Sequence, residues 1–175
     1  IVGGGPGISA SCARVFVREG MQVAIAARNI NKPVLRELEK THGVLLVACD
    51  AVDETSVADL FGLVVERLGN PNLVVHNIDG RTRDIFRKPI TEAAPVDVLD
   101  TLKNSVYSAF LVGQQAARCL LQNELGDRGR GSIIFTNASA ALKGYPNSGA
   151  FAAACHGKAG LAQSMARELM PQGIH

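Results

Sequence analysis

The 175-residue chain sets 18 Lys and Arg against 16 Asp and Glu, a formal net charge of +2, with 47% hydrophobic and 19% charged residues. Those proportions exclude a solvated disordered chain and a nucleic-acid-binding surface, and no apolar run reaches the ~18 residues of a membrane span. One domain over residues 1–175 is expected, able to bury roughly 70% of its unfolded surface and to serve a small-molecule partner.

Short runs rich in Val, Ile, Leu and Ala alternate with amphipathic stretches, the pattern of strand–helix units around a parallel sheet with helices on both faces. Strands are predicted at Ile1–Val2, Gln22–Ala27, Val44–Cys49, Leu73–Asn77 and Ser132–Thr136. Helices are predicted at Ile8–Glu19, Lys32–Thr41 and Glu54–Leu68, the last capped by Asp53. Pro95 to Asn123 reads as two helices. Pro146 to Met170 reads as one mostly helical segment, ended by Pro171 and Gly173. Ile1 already falls in a strand and Gly173-Ile174-His175 reads as the entry to another, so both ends read as cut. Cys12, Cys49, Cys119 and Cys155 are widely spaced with no Cys-x-x-Cys, so neither a metal site nor a disulfide framework is expected, and a cytoplasmic location is the default.

Ile1-Val2-Gly3-Gly4-Gly5-Pro6-Gly7-Ile8-Ser9 sets a glycine cluster between an apolar strand and an amphipathic helix. Gly3, Gly5 and Gly7 would let the backbone approach a pyrophosphate, and the amides at Ile8 would face the anion. No Gly-Lys-Ser/Thr follows, which excludes a P-loop. The second strand ends Ala26-Ala27-Arg28-Asn29, with no carboxylate for an adenosine ribose. Arg28 instead suits a 2'-phosphate, so NADP is expected over NAD, although a solvated surface arginine is the plain alternative. Asp50 is a partner for the adenine amino group, or simply the start of the Asp50–Asp53 turn.

Together with Asn77, these stretches and Ser132-Ile133-Ile134-Phe135-Thr136-Asn137-Ala138-Ser139, Lys143-Gly144-Tyr145 and Leu161 to Leu169 resemble the short-chain dehydrogenase/reductase family over essentially the whole chain. The resemblance implies a Rossmann-type doubly wound sheet and a long helix carrying an active-site Tyr-x-x-x-Lys. Its register puts the tyrosine position at Phe151 and the lysine position at Cys155. Phenylalanine has no exchangeable proton and cysteine no cation, so neither can serve as the family's acid–base pair. Lys158 lies about 300° around the helix from Cys155 and is not expected to restore it. The family's serine falls near Ala138 or Ser139, with Ser139 preferred. Its helical asparagine falls near Asn104 or Ser105, with Ser105 taken as the site position. His76-Asn77-Ile78-Asp79 stands where the family has Asn-Asn-Ala-Gly, so Asn77 is expected at the cofactor while Ile78 and Asp79 would crowd a dinucleotide. Ser9 replaces the third glycine of the turn. Tyr145 and His156 are the other groups considered for proton transfer, each more readily explained as a structural residue.

Two functions fit. One is an NADP-dependent oxidoreductase of a carbonyl or alcohol substrate, with impaired or unconventional catalysis. The other is a non-catalytic nucleotide-binding or scaffold relative. The resemblance also implies a homodimer or homotetramer paired through the long helices, where Ala152, Ala153, Ala154, Gly157, Ala159 and Gly160 keep one surface small.

Overall fold

The computed structural model describes residues 1–175. In chain order it contains helix α1 (Ile8–Arg18), strand β1 (Ala24–Ala27), α2 (Pro33–His42), β2 (Leu45–Ala48), α3 (Glu54–Leu68), β3 (Leu73–His76), α4 (Pro95–Leu102), a π-helical turn at Lys103–Tyr107, α5 (Ser108–Leu120), β4 (Ser132–Phe135) and α6 (Gly149–Leu169), with short 3-10 turns at Ser139–Ala141 and Met170–Gln172.

β1 pairs with β2 and β3 with β4, both parallel. Val2 joins the two pairs, bridging Ala26 on one side and His76 on the other, and Ile174 bridges Gly131 beyond β4. The order is therefore β2, β1, Val2, β3, β4. The chain starts in the middle, winds outward to one side, crosses over through α3 and winds outward to the other. Such a reversal opens a crevice at the strands' C-terminal ends, where Val2 runs into the glycine turn.

Strand alternation sorts the core onto two faces. Ile25, Ala27 and Val44 pack with Leu35 and Leu38 of α2 and with Ala10 and Ala13 of α1. Ala26, Val47 and Val74 point the other way, onto Val57, Leu60 and Phe61 of α3 and Leu111, Val112 and Ala116 of α5. Each fully buried Leu contributes about 1.5–3 kcal/mol. A smaller cluster of Leu120, Leu169 and Ile174 closes the β4 side.

The predicted helix Glu54–Leu68 is observed with those bounds, and its Asp53 cap accepts a 2.6 Å bond from the Ser56 amide. Two expectations change. The strand at Ile1–Val2 is only the Val2 bridge, though it holds the centre of the sheet. The two helices expected between Pro95 and Asn123 run on without a break, because five residues between them wind as a π-turn. Lys103 to Tyr107 contains neither Gly nor Pro, so nothing local stops the helix, and the extra residue in the turn is absorbed as a bulge.

Candidate functional site

The glycine run divides into two kinds of position. At Gly3, with φ +103°, a Cβ would lie 2.2 Å from the Asn77 carbonyl oxygen, and at Gly4 it would lie 2.7 Å from Ile25. The protein's own packing requires those two glycines. At Gly5 and Gly7 a Cβ would meet nothing within 4 Å, so internal packing leaves both positions open to solvent. No side chain caps α1, which begins directly after Gly7, and Ile8 in its first turn is exposed. Ser9, in the third-glycine position, is buried. Its hydroxyl donates to the Gly3 carbonyl at 2.8 Å and accepts from Asn77 Nδ2 at 2.7 Å. Asn77 Oδ1 in turn accepts from Thr136 Oγ1 at 2.9 Å. Asn77 is thus committed at both ends of its amide, and it fastens the turn to the ends of β3 and β4.

A groove of about 370 Å³ runs from this turn along the ends of β1, β2 and β3. Arg28 and Asp50 stand exposed on its outer wall. Asp50 Oδ1 accepts a 3.3 Å bond from the Val52 amide, which is its turn-forming role. Sequence reasoning missed Lys32, whose Nζ donates to the Gly4 carbonyl at 2.7 Å and brings a second cation to the turn. A larger, mainly apolar cavity of about 600 Å³ lies at the opposite ends of the strands, lined by residues such as Phe16, Met21, Leu60 and Pro71, and contains none of the predicted site residues.

The inner end of the groove holds three features that the sequence did not show. First, Lys158 is buried, and its Nζ donates to the carbonyls of Ile78 at 2.8 Å and Thr136 at 3.3 Å, at the ends of β3 and β4. A 300° offset forward is 60° back, so Lys158 shares the face of Cys155, and its four-carbon stem reaches the strand ends. Burial pulls the Lys158 ammonium below the usual lysine range, with Cys155 and Asp79 opposing. Second, Asn104 lines the groove and donates to the Gly80 carbonyl at 3.4 Å, whereas Ser105 is buried beneath Gly80. Ser105 is therefore corrected to a packing residue, because the π-turn carries its neighbour Asn104 to the open side. Third, the Phe151 ring is covered by Arg81. The Arg81 guanidinium carbon lies 4.0 Å from the centroid of its ring, and Arg81 Nε and Nη2 both donate to the Asp79 carboxylate, at 2.7 and 2.6 Å.

Cys155 is buried against Ala140 and Ala152, and its carbonyl accepts from Asn137 Nδ2 at 3.0 Å. Burial pushes its thiol up, with Lys158 opposing, so it is a protonated thiol rather than a nucleophile or cation. Ser139 is exposed at the start of its 3-10 turn just past β4, a position open to a substrate. The two alternative proton carriers take surface roles: Tyr145 lies beneath the Lys143 ammonium, and the His156 ring bonds the Ala152 carbonyl within its own helix.

A family model described as enoyl-(acyl carrier protein) reductase matches residues 3–175. Among curated proteins, the 3-oxoacyl-(acyl-carrier-protein) reductase MabA of Mycobacterium avium is 29% identical over 174 residues, covering 99% of this chain and 62% of its own. The chain thus spans under two thirds of that relative's length. Among solved structures, a short-chain dehydrogenase from Rhodopseudomonas palustris is 32% identical with a TM-score of 0.83, over 99% of this chain and 79% of its own. The sorbitol-6-phosphate 2-dehydrogenase SrlD of Erwinia amylovora is 26% identical with a TM-score of 0.86, over 99% and 66%.

Proposed function

Because the chain belongs to the short-chain dehydrogenase/reductase family, we propose that it binds NADP at the glycine turn and acts as a slow oxidoreductase of a carbonyl or alcohol substrate. The observation that carries this reading is the division of the glycines. Gly3 and Gly4 answer to the fold, while Gly5 and Gly7 leave a cradle that a Cβ would fill and that nothing in the protein uses. An uncapped helix N-terminus and the Lys32 ammonium make that cradle favourable for an anion. Gly5, Gly7 and Ile8 would hold the pyrophosphate, Arg28 the 2'-phosphate in preference to NAD's bare ribose, and Asp50 the adenine. Asn77 and Ser9 keep the turn in place.

When bound, the cofactor supplies the hydride. The chain must supply the proton and orient the substrate. Ser139 is the exposed hydroxyl at the end of β4. With phenylalanine at position 151, the buried Lys158 ammonium, weakened as an acid holder by desolvation, is the donor that the fold brings to the strand ends. Loss of a positioned tyrosine reduces such catalysis by about 10²- to 10⁴-fold. The substrates of the longer relatives, acyl carrier protein thioesters and sugar phosphates, mark the range from which a substrate screen starts.

A second reading, a nucleotide-binding protein without turnover, is favoured by Phe151 and by the high thiol pKa of Cys155. Calorimetric titration with NADPH and NADH decides whether the site is real. Wild type should bind NADPH at micromolar concentration and more tightly than NADH. Gly5→Asp should fold with an unchanged melting temperature, because the position is open, yet lose binding. Absence of binding by either nucleotide at millimolar concentration overturns the proposal, and binding without turnover of any carbonyl substrate supports the second reading.

A further inference from the structure

We propose that Asp79 and Arg81 form a plug across the reactive end of the groove, so that the protein grips the adenosine-phosphate half of NADP and gains little from the nicotinamide half. This rests on the nucleotide-binding reading above and makes the pair a specificity-determining element. A dinucleotide anchored at the glycine turn must extend toward Phe151 to present its reactive end to α6. Asp79 and Arg81 line that same groove together with Gly3, Gly4 and Arg28.

Three separate contacts hold the plug. Its two members form a bidentate ion pair at 2.7 and 2.6 Å, the geometry that binds guanidinium most firmly. The guanidinium also lies between two rings, 4.0 Å from the Phe151 centroid and 5.1 Å from that of Phe86, so its cation is stabilised on the very residue that replaces the proton donor. Between them, Gly80 at φ +83° is seated against Ser105, and Asn104 donates to its carbonyl. The loop therefore has one register against the π-turn. The Arg81 hydrogen bonds hold the carboxylate below its usual range, which favours the ionised pair. It also satisfies its own charge. An incoming nicotinamide ribose would have to break the ion pair and lift Arg81 from both rings, and that cost offsets the contacts it gains.

The test removes the plug without changing net charge. Wild type and the double variant Asp79→Ala with Arg81→Ala are titrated calorimetrically with NADPH and with adenosine 2',5'-bisphosphate, the half-ligand. Asp79 and Arg81 side chains are 55% and 29% exposed, so the double variant should fold, which far-UV circular dichroism checks. In wild type the two dissociation constants should agree within about threefold, and in the double variant NADPH should bind at least about tenfold tighter while the half-ligand is unchanged. Adding Gly5→Asp to the double variant should abolish both. A wild-type preference for NADPH of about tenfold or more, or a ratio unchanged by the double variant, overturns the plug. If neither ligand binds either protein, the nucleotide reading falls and the plug with it. Half-ligand binding without the ratio change sinks the plug alone.

Discussion

His76 shows how a single side chain couples this site to stability. It is fully buried at the end of β3, and its Nε2 lies 2.9 Å from Ser108 Oγ. Since that hydroxyl donates to the Asn104 carbonyl, the ring is assigned as the Nε2–H donor, and Nδ1 is left buried with no partner. Charging the ring would bury a second N–H and a positive charge, opposed by desolvation and by the Lys158 ammonium. Burial, and after it Lys158, lowers the pKa from 6.5 to about 3. Below the unfolded value the unfolded chain takes up a proton that the folded one refuses, so stability present above pH ~6.5 drains away as the pH falls toward about 3. The expected loss is about 1.4 kcal/mol per pH unit, or about 2 kcal/mol between pH 7 and pH 5, where most carboxylates contribute little. Urea unfolding at the two pH values should show it in wild type, and His76→Gln, which keeps a donor toward Ser108 but cannot titrate, should flatten the dependence. Equal slopes in the two proteins would mean that other groups set the acid limit.

At the scale of elements, the loop from β3 to α4 and the π-turn beneath it act as one piece. Gly80 adopts φ +83°, and a Cβ there would lie 2.6 Å from Ser105 Cβ and 2.8 Å from its amide nitrogen. Gly80→Ala therefore incurs both left-handed strain and a clash with backbone that cannot retreat, and should cost about 1–3 kcal/mol in urea unfolding. Gly5→Ala, with open space around it, should cost far less, and similar costs for the two would refute this division. Periodicity made most elements legible in the sequence. The Asp53 cap and Glu54–Leu68 were readable because helix signals are local, and the glycine turn because strand, turn and helix follow within nine residues. The π-turn was not readable, since no residue type marks a one-residue bulge. Nor was the inner site. Arg81 and Phe151 are 70 positions apart in sequence, and Arg81 belongs to a polar loop without period. The place of the Lys158 ammonium was not readable either, because angular spacing describes Cβ directions, whereas a long cationic stem can carry its charge a turn away.

For the whole molecule, the remaining question is what covers the outer face of α4, the π-turn and α5. Val96, Leu99, Tyr107 and Phe110 are exposed there, at 63%, 64%, 42% and 42%. Val96 with Leu99, and Tyr107 with Phe110, are i,i+3 pairs, so each pair shares one face of its own helical segment. On α6, which packs against α4 and the π-turn, Ala153, Gly157 and Gly160 are also exposed. The small size of Gly157 is used inside the chain, where a Cβ would approach Val106 at 3.0 Å, but Gly160 meets nothing within 4 Å. One side is apolar and the other small-surfaced, which suits pairing of two copies along these helices, as the homodimer or homotetramer expectation requires. A stable pair needs about 1,200 Å² or more of buried surface, which two helices of this length can supply. Phe110→Glu would place a charge inside that contact while leaving the monomer core untouched, because Phe110 faces outward. Sedimentation velocity should then show the assembled species of wild type give way to a monomer, and a wild-type protein that is monomeric at tens of micromolar would overturn the pairing. The consequence reaches the groove. The same π-turn that presents Tyr107 outward holds Asn104 at the groove wall and Ser105 under Gly80, so a monomeric variant should also bind NADPH more weakly, and assembly and nucleotide affinity should fall together.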